Sequence, residues 1–352
     1  MIERCRHFGS CGGCTFQDVP EADYRAQKRD AVVRALMKYG IDAPVTETVA
    51  VPPGTRRRAT LKIGRTPGGV EVGFHPQRSH AIVDMRECLV LTPGLLAFVQ
   101  NLRVAAAGLF ANGQPAEVHV TEADNGIDAG FRAEGRLNTA LTGALAKAAP
   151  MLKAVRITWN GGLAYESAAP VVHFGKAAVK LPIDSFLQPT REGEETLRTR
   201  AVAGVKGAKA IADLFSGVGT FSLALAEQGR VHAVEREQVM LDALAAAAKA
   251  TQGLKPVTTA SRDLFNVPLT ALELNKFDAV VLDPPRAGAE AQARQLARSK
   301  VSRLAYVSCD AGSFARDTKI LLDGGYRIGP VTPVDQFLWS SHIELVAAFA
   351  RP

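Results

Sequence analysis

Residues 212–221, which read ADLFSGVGTF, decide the fold of this chain. An apolar strand leads into a glycine-rich turn, and a helical pattern follows the turn directly. Glycines in such a turn let the backbone approach a ligand closely at the carboxyl end of the strand, where open α/β sheets bind cofactors. This stretch therefore predicts a cofactor-binding α/β fold for the second half of the chain.

Apolar strands alternate with helices on both sides of this turn, from about residue 182 onward. We expect strands over 210–215, 231–234, 279–283 and 304–309, helices over 220–228, 238–250 and 289–298, and closing strands within 331–348. This alternation is typical of βαβ units and of a parallel sheet covered by helices on both faces. The sequence therefore predicts a Rossmann-like, mostly parallel sheet over residues 182–352.

Residues 1–181 follow a different pattern. In chain order, the pattern predicts a glycine-rich start over 1–16, a helix near 21–39, strands from about 55 to 181, and helices near 94–111 and 137–148. Alternating apolar residues in the strand region are typical of a mostly antiparallel sheet. We therefore expect a smaller α+β domain before the larger one, with the helix near 21–39 packed on the larger domain.

Composition and charge narrow the class of protein. The chain has 352 residues, 47% hydrophobic and 22% charged, which is typical of a soluble globular protein and excludes collagen-like and disordered classes. No apolar stretch is long enough to span a membrane and no signal sequence precedes the charged start, so we expect a cytoplasmic protein without a membrane partner. A net charge of +7 and the run Arg56–Arg58 favour a polyanionic partner such as nucleic acid.

The five cysteines are an odd number, and in a reducing compartment they are more often ligands or nucleophiles than disulfides. Cys5, Cys11, Cys14 and the distant Cys88 have a spacing that suits either Zn²⁺ or an iron–sulfur cluster, since both accept four thiolates. Cys309 lies at the carboxyl end of an expected strand and is a candidate nucleophile. The alternative for a lone cysteine is an inert core residue.

Two acidic residues also follow expected strands. Glu235 comes 18 residues after Gly217, a spacing at which a carboxylate can accept hydrogen bonds from ribose hydroxyls. The turn lacks the third glycine of a dinucleotide site, so it fits S-adenosylmethionine better. Asp283 precedes two prolines that force a sharp exit from the sheet and leave its side chain at the cleft, although a purely structural turn is the alternative.

Four motifs together resemble the S-adenosylmethionine-dependent RNA 5-methyluridine methyltransferases, which act on transfer RNA or large-subunit ribosomal RNA. They are DLFSGVGTF (213–221), DPPRAG (283–288), VSCD (307–310) and SHIE (341–344). The amino-terminal cysteines resemble the set that holds a [4Fe–4S] cluster in the ribosomal RNA members. The resemblance therefore implies an α+β iron–sulfur domain over 1–181 that contacts RNA, and a methyltransferase domain over 182–352.

The resemblance also implies roles for individual residues. Cys309 matches the nucleophile that adds to C6 of uracil, and Glu344 matches the base that removes the C5 proton. The residues that match the cofactor site are Gln188, Phe215, Thr220, Glu235, Asp263 and Asp283. Cys5, Cys11, Cys14 and Cys88 match the cluster ligands. Asp263 has an alternative reading as a helix cap, because an Asp after a short strand often caps the next turn.

The resemblance favours 23S ribosomal RNA as the substrate, with uridine 54 of transfer RNA as the alternative. Asp283-Pro284-Pro285-Arg286 is also similar to the Asp-Pro-Pro-aromatic motif that holds a target nitrogen, so an amino-group methyltransferase is a second hypothesis. A non-catalytic RNA-binding assembly factor is a third. No obligate protein partner is evident in the sequence.

Overall fold

The computed structural model describes residues 4–76, 79, 81–110 and 114–351. The helices are α1 Glu21–Met37, α2 Pro93–Ala106, α3 Thr139–Ala148, α4 Arg191–Gly204, α5 Ser222–Leu225, α6 Gln238–Ala250, α7 Ala271–Leu274, α8 Glu290–Arg298 and α9 Ala311–Asp323. The strands of the first half are β1 Val49–Ala50, β2 Arg58–Thr66, β3 Gly69–Phe74, β4 Val83–Asp84, β5 Ala116–Ala123, β6 Gly126–Ala133, β7 Ala154–Trp159, β8 Gly162–Glu166, β9 Val171–Phe174 and β10 Ala177–Lys180. Those of the second half are β11 Ala210–Leu214, β12 Arg230–Glu235, β13 Val257–Ser261, β14 Ala279–Leu282, β15 Arg303–Ser308, β16 Arg327–Ile328, β17 Thr332–Asp335 and β18 Glu344–Ala350.

The larger sheet has the strand order β13-β12-β11-β14-β15-β18-β17-β1, with β16 also paired to β18. The five strands from β13 to β15 run parallel, and β18 runs antiparallel to both β15 and β17. The predicted mostly parallel sheet is therefore confirmed. Because the strand order reverses direction at β11, the loops after β11 and β14 open a crevice at the carboxyl ends of these strands.

Both faces of this sheet are covered by helices. Neighbouring residues of one strand point to opposite faces: Leu304 and Tyr306 of β15 join the core with α1, α8 and α9, whereas Ala305 and Val307 join the core with α4 and α5. Strand β14 in the middle of the sheet is apolar and buried along its whole length, because helices cover both of its faces, and β11 is buried throughout although it contains Asp213.

The smaller sheet has the order β4-β3-β2-β5-β6-β7-β8. Its pairs are antiparallel except for β6 with β7, so the prediction of a mostly antiparallel sheet is confirmed. Leu95, Phe98 and Leu102 of α2 pack on the apolar face of the sheet, and Leu145 of α3 joins the same core. Strands β9 and β10 form a separate antiparallel ribbon, which the sequence analysis placed within the strand region without separating it.

The segment that precedes the smaller sheet packs against the larger one. Val32 and Leu36 of α1 lie in the same core as Phe314 of α9, and β1 adds a parallel edge strand beside β17. The packing of α1 agrees with the prediction from sequence, whereas the edge strand β1, only two residues long, carries no sequence signal. Among the described residues, no helix combines the length and the apolar character needed to cross a membrane.

Some elements differ from their predicted bounds. Helix α5 covers Ser222–Leu225 rather than 220–228, because residues 226–229 turn back toward β12, with the Gly229 amide bonded to the Leu225 carbonyl at 3.1 Å. Helices α4 and α9 were not predicted. α9 begins at an Asp310 cap directly after Cys309, so it starts from the same strand end that supplies the candidate nucleophile.

Candidate active site

The glycine-rich turn after β11 places several residues in the left-handed backbone region. Phe215 has φ 63°, Gly217 φ 52° and Gly219 φ 99°. A Cβ added to Gly219 would lie 2.3 Å from Leu244 Cδ1, so the close packing of α6 requires glycine there. A Cβ on Gly217 would meet no atom within 4 Å, which shows that the turn opens into free space at the carboxyl edge of the sheet.

Glu235 ends β12 and its carboxylate lies directly beside this turn. One oxygen accepts a hydrogen bond from the Gly217 amide at 3.2 Å, and the other accepts from the amides of Arg236 at 2.7 Å and Glu237 at 3.1 Å. These backbone donors fix the carboxylate at the strand end. The structure therefore brings Glu235 to the turn that contains Thr220.

The turn after β13 borders the same site. The Phe265 ring packs against the Phe215 ring with centroids 5.4 Å apart. Asp263, two residues earlier, accepts hydrogen bonds from the Phe265 amide at 3.0 Å and from Asn266 Nδ2 at 2.8 Å. These bonds lower the pKa of Asp263. They are the bonds of an Asx turn over residues 263–266, whereas the next helix, α7, is capped by Thr270, so Asp263 is not a helix cap.

Asp283 and Gln188 meet at the end of β14. Gln188 is buried and its Nε2 donates to Asp283 Oδ2 at 3.3 Å. Burial raises the pKa of Asp283 to about 7, and the bond from Gln188 opposes this rise. The Gln188 amide thus reaches the cleft from the segment before α4, although 95 residues separate it from Asp283 along the chain.

Cys309 and Glu344 are brought together by the register of the sheet. Cys309 follows β15 and Glu344 begins the antiparallel neighbour β18, where Ser308 pairs with Leu345. Burial, followed by the negative charges of Glu344 and Asp283, raises the pKa of the Cys309 thiol to about 11. Burial and the charge of Asp283 raise the pKa of Glu344 to about 8. One thiol and two carboxyl groups therefore lie at the same edge of the sheet, close enough for their charges to interact.

This arrangement is suited to proton transfer and covalent chemistry. A carboxyl group whose pKa lies near neutral pH can accept and release a proton at low cost. A thiol beside it, at the end of a strand and only partly buried, can reach a substrate that enters the cleft. Perturbed titratable groups that converge in a cleft are typical of an active site.

The loop between β17 and β18, residues 336–343, is anchored below the cleft by a buried ion pair. Lys28 of α1 binds Asp335 with 2.9 Å between Nζ and Oδ1, and the Tyr24 hydroxyl donates to the other carboxylate oxygen at 2.5 Å. The Trp339 amide in turn donates to the Tyr24 hydroxyl at 2.6 Å. Helix α1 therefore fixes the loop that leads into Glu344.

The four amino-terminal cysteines line one cavity of about 410 Å³ together with residues of the same loop, among them Phe337 and His342. Burial raises the pKa of Cys14 to about 12, and its neighbours Cys88, Cys11 and Cys5 contribute to the rise. Among the described residues, however, no three His, Cys, Asp or Glu side chains are arranged as a metal-binding group. The predicted cluster site is thus reduced to four thiols on the walls of one cavity.

The structure buries Arg57, the middle residue of the run Arg56–Arg58 from which the sequence predicted a polyanionic partner. Arg57 is 2% exposed and binds Glu194 of α4 with 2.5 Å between Nη2 and Oε2. Its Nε donates to the Gln188 carbonyl at 3.1 Å. A guanidinium enclosed in this way cannot contact RNA; it connects the smaller sheet to the segment that carries Gln188.

Sequence reasoning missed Gln336 and Arg57. Gln336 is 1% exposed and its Nε2 donates to Gln188 Oε1 at 2.6 Å. Its position just after β17 could have been noted, because it lies eight residues before Glu344, but only the antiparallel pairing of β17 with β18 places the two ends side by side. Arg57 gave no signal, because its partner Glu194 lies 137 residues away along the chain.

The strand order, the glycine turn and the carboxylates at the strand ends define the class of S-adenosylmethionine-dependent methyltransferases. Residues 172–351 match the family model described as tRNA (Uracil-5-)-methyltransferase. The chain belongs to this family of RNA uracil-5 methyltransferases, and it is an enzyme of that class.

Named relatives agree with this family. An uncharacterized RNA methyltransferase of Brucella suis is 44% identical over 347 residues, which cover 99% of this chain and 84% of the relative. The 23S rRNA (uracil(1939)-C(5))-methyltransferase RlmD of Halomonas elongata is 30% identical, with 99% of this chain and 76% of the relative covered. The Pyrococcus abyssi tRNA (uracil-54, C5)-methyltransferase, solved with S-adenosyl-L-homocysteine, shares the fold with a TM-score of 0.75 at 23% identity, covering 99% and 87% of the two chains.

Proposed function

We propose that this chain transfers a methyl group from S-adenosylmethionine to C5 of a uridine in RNA, with Cys309 as the nucleophile and Glu344 as the base. The observation that carries the proposal is the strand register that brings Asp283 after β14, Cys309 after β15 and Glu344 at the start of β18 to the same edge of the sheet, where their charges interact. This edge is where open α/β sheets bind their ligands.

The cofactor site is proposed on the open side of the glycine turn. Free space lies above Gly217, and the Glu235 carboxylate beside it suits the hydroxyl groups of a ribose. We assign Gln188, Phe215, Thr220, Glu235, Asp263 and Asp283 to this site. S-adenosylmethionine supplies the methyl group when it is bound. Asp263 would contribute to the cofactor site indirectly: it stabilises the turn that places the Phe265 ring against the Phe215 ring.

The chemistry requires an activated uracil, because C5 is a weak nucleophile. The Cys309 thiolate adds to C6 and the electron pair of the C5–C6 double bond moves toward C5, which can then take up the methyl group as the bond between that methyl group and the sulfonium breaks and S-adenosylhomocysteine is left. Glu344 next removes the C5 proton. The electrons of that C–H bond restore the C5–C6 double bond, and the bond between C6 and the Cys309 sulfur breaks. A uridine must leave its stack to reach this cleft, so a loop or a single-stranded site is the expected target.

We propose 23S ribosomal RNA as the substrate, supported by the relative named RlmD and by the amino-terminal cysteines. Transfer RNA is the second candidate, supported by the description of the family model. Purified enzyme would be incubated with S-adenosylmethionine and with unmodified 23S rRNA or, separately, unmodified tRNA. The nucleosides of each RNA would then be analysed by mass spectrometry. We expect 5-methyluridine in 23S rRNA only. Product in tRNA alone would reverse the assignment, and N-methylated nucleosides would contradict C5 chemistry.

We propose that Cys5, Cys11, Cys14 and Cys88 hold a [4Fe–4S] cluster. Four thiols on one cavity form a donor set that such clusters accept. Protein purified without oxygen should contain iron and acid-labile sulfide, and Cys14→Ser should lose both. Cys309→Ala should keep them. Stoichiometric zinc without sulfide, or equal iron in the Cys14→Ser variant, would contradict the cluster.

We also propose two domains, residues 1–181 and 182–352, with the segment from α1 to β1 packed on the second. The separate cores of the two sheets support this division.

A further inference from the structure

The side chain of Gln188 lies in a buried polar network that joins three distant parts of the chain. Gln336 Nε2 donates to Gln188 Oε1 at 2.6 Å, and Gln188 Nε2 donates to Asp283 Oδ2 at 3.3 Å. Both glutamines are buried, so bulk water does not replace a hydrogen bond that either of them loses. Each bond of this network therefore affects the orientation of the next group.

The main chain around Gln188 is fixed from the smaller sheet by Arg57. Arg57 Nε donates to the Gln188 carbonyl at 3.1 Å, and the Arg57 amide donates to the Pro189 carbonyl at 2.8 Å. These bonds determine where the Gln188 side chain begins. They do not determine which end of its amide faces Asp283, because the last torsion of a glutamine has two nearly equivalent states that exchange oxygen and nitrogen.

Gln336 distinguishes these two states of the Gln188 amide. If that amide turned by half a rotation, its nitrogen would face the Gln336 nitrogen and its oxygen would face the Asp283 carboxyl group. Both hydrogen bonds would be lost at once, and the opposed buried groups would have no water to compensate them. Turning both glutamines together would keep the bond between them, but would still set the Gln188 oxygen against an ionised Asp283.

Helix α4 confines the Gln336 side chain from the other side. A Cβ built on Gly193 would lie 2.5 Å from Gln336 Oε1 and 2.8 Å from Gln336 Cβ. The Gly193 amide already donates to Thr190 Oγ1 at 3.0 Å, and Gln336 Oε1 has no hydrogen-bond partner in the described part of the chain. Glycine at position 193 therefore provides the space in which Gln336 reaches Gln188 through its nitrogen.

We propose that Gln336 is a positioning residue for the cofactor site: it binds the oxygen of Gln188 and so directs the Gln188 nitrogen toward Asp283 and the cofactor. This inference rests on the proposed function, in which Gln188 belongs to the S-adenosylmethionine site. The Gln188 nitrogen carries two hydrogens, and one of them bonds to Asp283. The other is directed to an acceptor group of the cofactor, so Gln188 recognises the cofactor as a donor.

The test is a double-mutant cycle on cofactor affinity, measured by calorimetric titration of the intact chain with S-adenosylmethionine. Gln336→Met keeps the approximate length of the side chain and removes both N–H donors. We expect it to weaken binding by about three- to tenfold, which corresponds to the loss of one hydrogen bond. In a Gln188→Met background the same substitution should change the affinity by less than about 1.5-fold, because no amide remains to be oriented.

Turnover gives a second measurement on the same variants. Gln336→Met should raise KM for S-adenosylmethionine, while KM for RNA changes by less than about twofold. A merely structural role would instead weaken cofactor binding equally in the two backgrounds. If Gln336→Met does not fold, Gln336→Asn keeps an amide but withdraws it by one carbon, and it should weaken binding in the same way.

A matched control is Gln292→Met in α8. Gln292 is also buried, and it exchanges two hydrogen bonds with the Leu269 backbone, at 2.9 and 3.0 Å. Neither residue belongs to the network around Gln188. This variant should lose stability and keep the wild-type affinity for S-adenosylmethionine.

The outcomes separate this inference from the proposed function. Wild-type affinity in the folded Gln336 variants, or an equal loss with and without Gln188, overturns the role of Gln336, provided that Gln188→Met itself weakens binding. Wild-type affinity in Gln188→Met contradicts the assignment of Gln188 to the cofactor site, and the inference about Gln336 then fails with it.

Discussion

Two carboxyl groups at the candidate site, those of Asp283 and Glu344, hold their protons at higher pH than ordinary carboxyl groups do, and the Cys309 thiol is harder to ionise than an ordinary thiol. Burial raises the pKa of Asp283 to about 7, the pKa of Glu344 to about 8 and the pKa of the Cys309 thiol to about 11. Desolvation is the first cause for each of the three, because a charged group loses its hydration when it is enclosed.

This electrostatic arrangement predicts the pH dependence of methylation. Glu344 must be ionised to accept a proton and Cys309 must be ionised to attack, so both steps are favoured by higher pH. We expect kcat/KM to rise between pH 6 and about pH 9, with an acidic limb near pH 8 from Glu344. Initial rates across this range provide the measurement. A rate that is flat or falls over the range would contradict the assigned roles.

How well each site residue could be predicted depends on where its signal lies. Asp283 and Cys309 follow apolar strands directly, so the chain itself places them at the ligand edge of a parallel sheet. The role of Glu344 came only from family resemblance, because it begins an antiparallel strand and resembles an ordinary surface carboxylate in the sequence. Gln336 depends on pairing between β17 and β18, which no local pattern encodes.

At the scale of elements, the turn from β11 to α5 contains a glycine that both its backbone conformation and its close packing require. Gly219 combines a φ of 99° with close contact to Leu244 of α6. Gly135 has a similar φ of 93°, but a Cβ there would meet no atom within 4 Å. A side chain at Gly135 would therefore cause backbone strain alone, whereas a side chain at Gly219 would cause the same strain and a steric overlap with Leu244.

We predict that Gly219→Ala is destabilised more than Gly135→Ala. Both pay about 1–2 kcal/mol for the left-handed backbone, and Gly219→Ala adds about 1–3 kcal/mol of overpacking. It should also lose affinity for S-adenosylmethionine, because the displaced turn is the proposed cofactor site. Urea denaturation and calorimetric titration measure the two effects. Equal stabilities of the two variants would show that α6 yields to the added methyl group.

The connection between β2 and α4 is the second feature at this scale. Arg57 and Glu194 are 2% and 3% exposed, so removing one partner leaves a buried charge without compensation. We expect Arg57→Met to cost about 3–5 kcal/mol in the free energy of unfolding. The exposed pair Arg294–Glu290 is the control, and Arg294→Met should cost no more than about 0.5 kcal/mol. Comparable urea midpoints for the two variants would contradict this prediction.

The elements that could be predicted well from the sequence are those with a strong local signal, either a regular spacing of apolar residues or a high helix propensity. Helix α6 has its predicted bounds, Gln238–Ala250, because its alanine-rich sequence has high helix propensity. The edge strand β1 was not predicted because two residues carry no period; it exists only through pairing with β17. Contacts with distant parts of the chain thus determine the elements that the local sequence does not predict.

For the molecule as a whole, buried carboxyl groups link stability to pH. The folded state keeps a proton on Glu344 up to about pH 8, whereas the unfolded chain releases it near its ordinary pKa of 4.5. Its contribution to the free energy of unfolding is therefore full at low pH and falls as pH rises from about 4.5 to 8.

We predict that Glu344→Gln gains stability relative to wild type as pH rises from 5 to 8.5, because glutamine has no proton to lose. Glu273→Gln is the control: the pKa of Glu273 is lowered to about 2, so its ionisation lies below this range. Urea denaturation at both pH values gives the differences in free energy of unfolding. A difference for Glu344→Gln that does not change with pH would show that the carboxyl is not desolvated in the folded protein.

The central claim is that one enzyme cleft holds RNA covalently through Cys309 and releases it through Glu344. The most direct measurement is the denaturation-resistant protein–RNA complex formed by Glu344→Gln with 23S rRNA and S-adenosylmethionine, mapped by mass spectrometry of the digested adduct. We predict a methylated uridine attached to Cys309, and no complex when Cys309→Ala is combined with Glu344→Gln. No complex with Glu344→Gln, or attachment to another residue, would contradict the account.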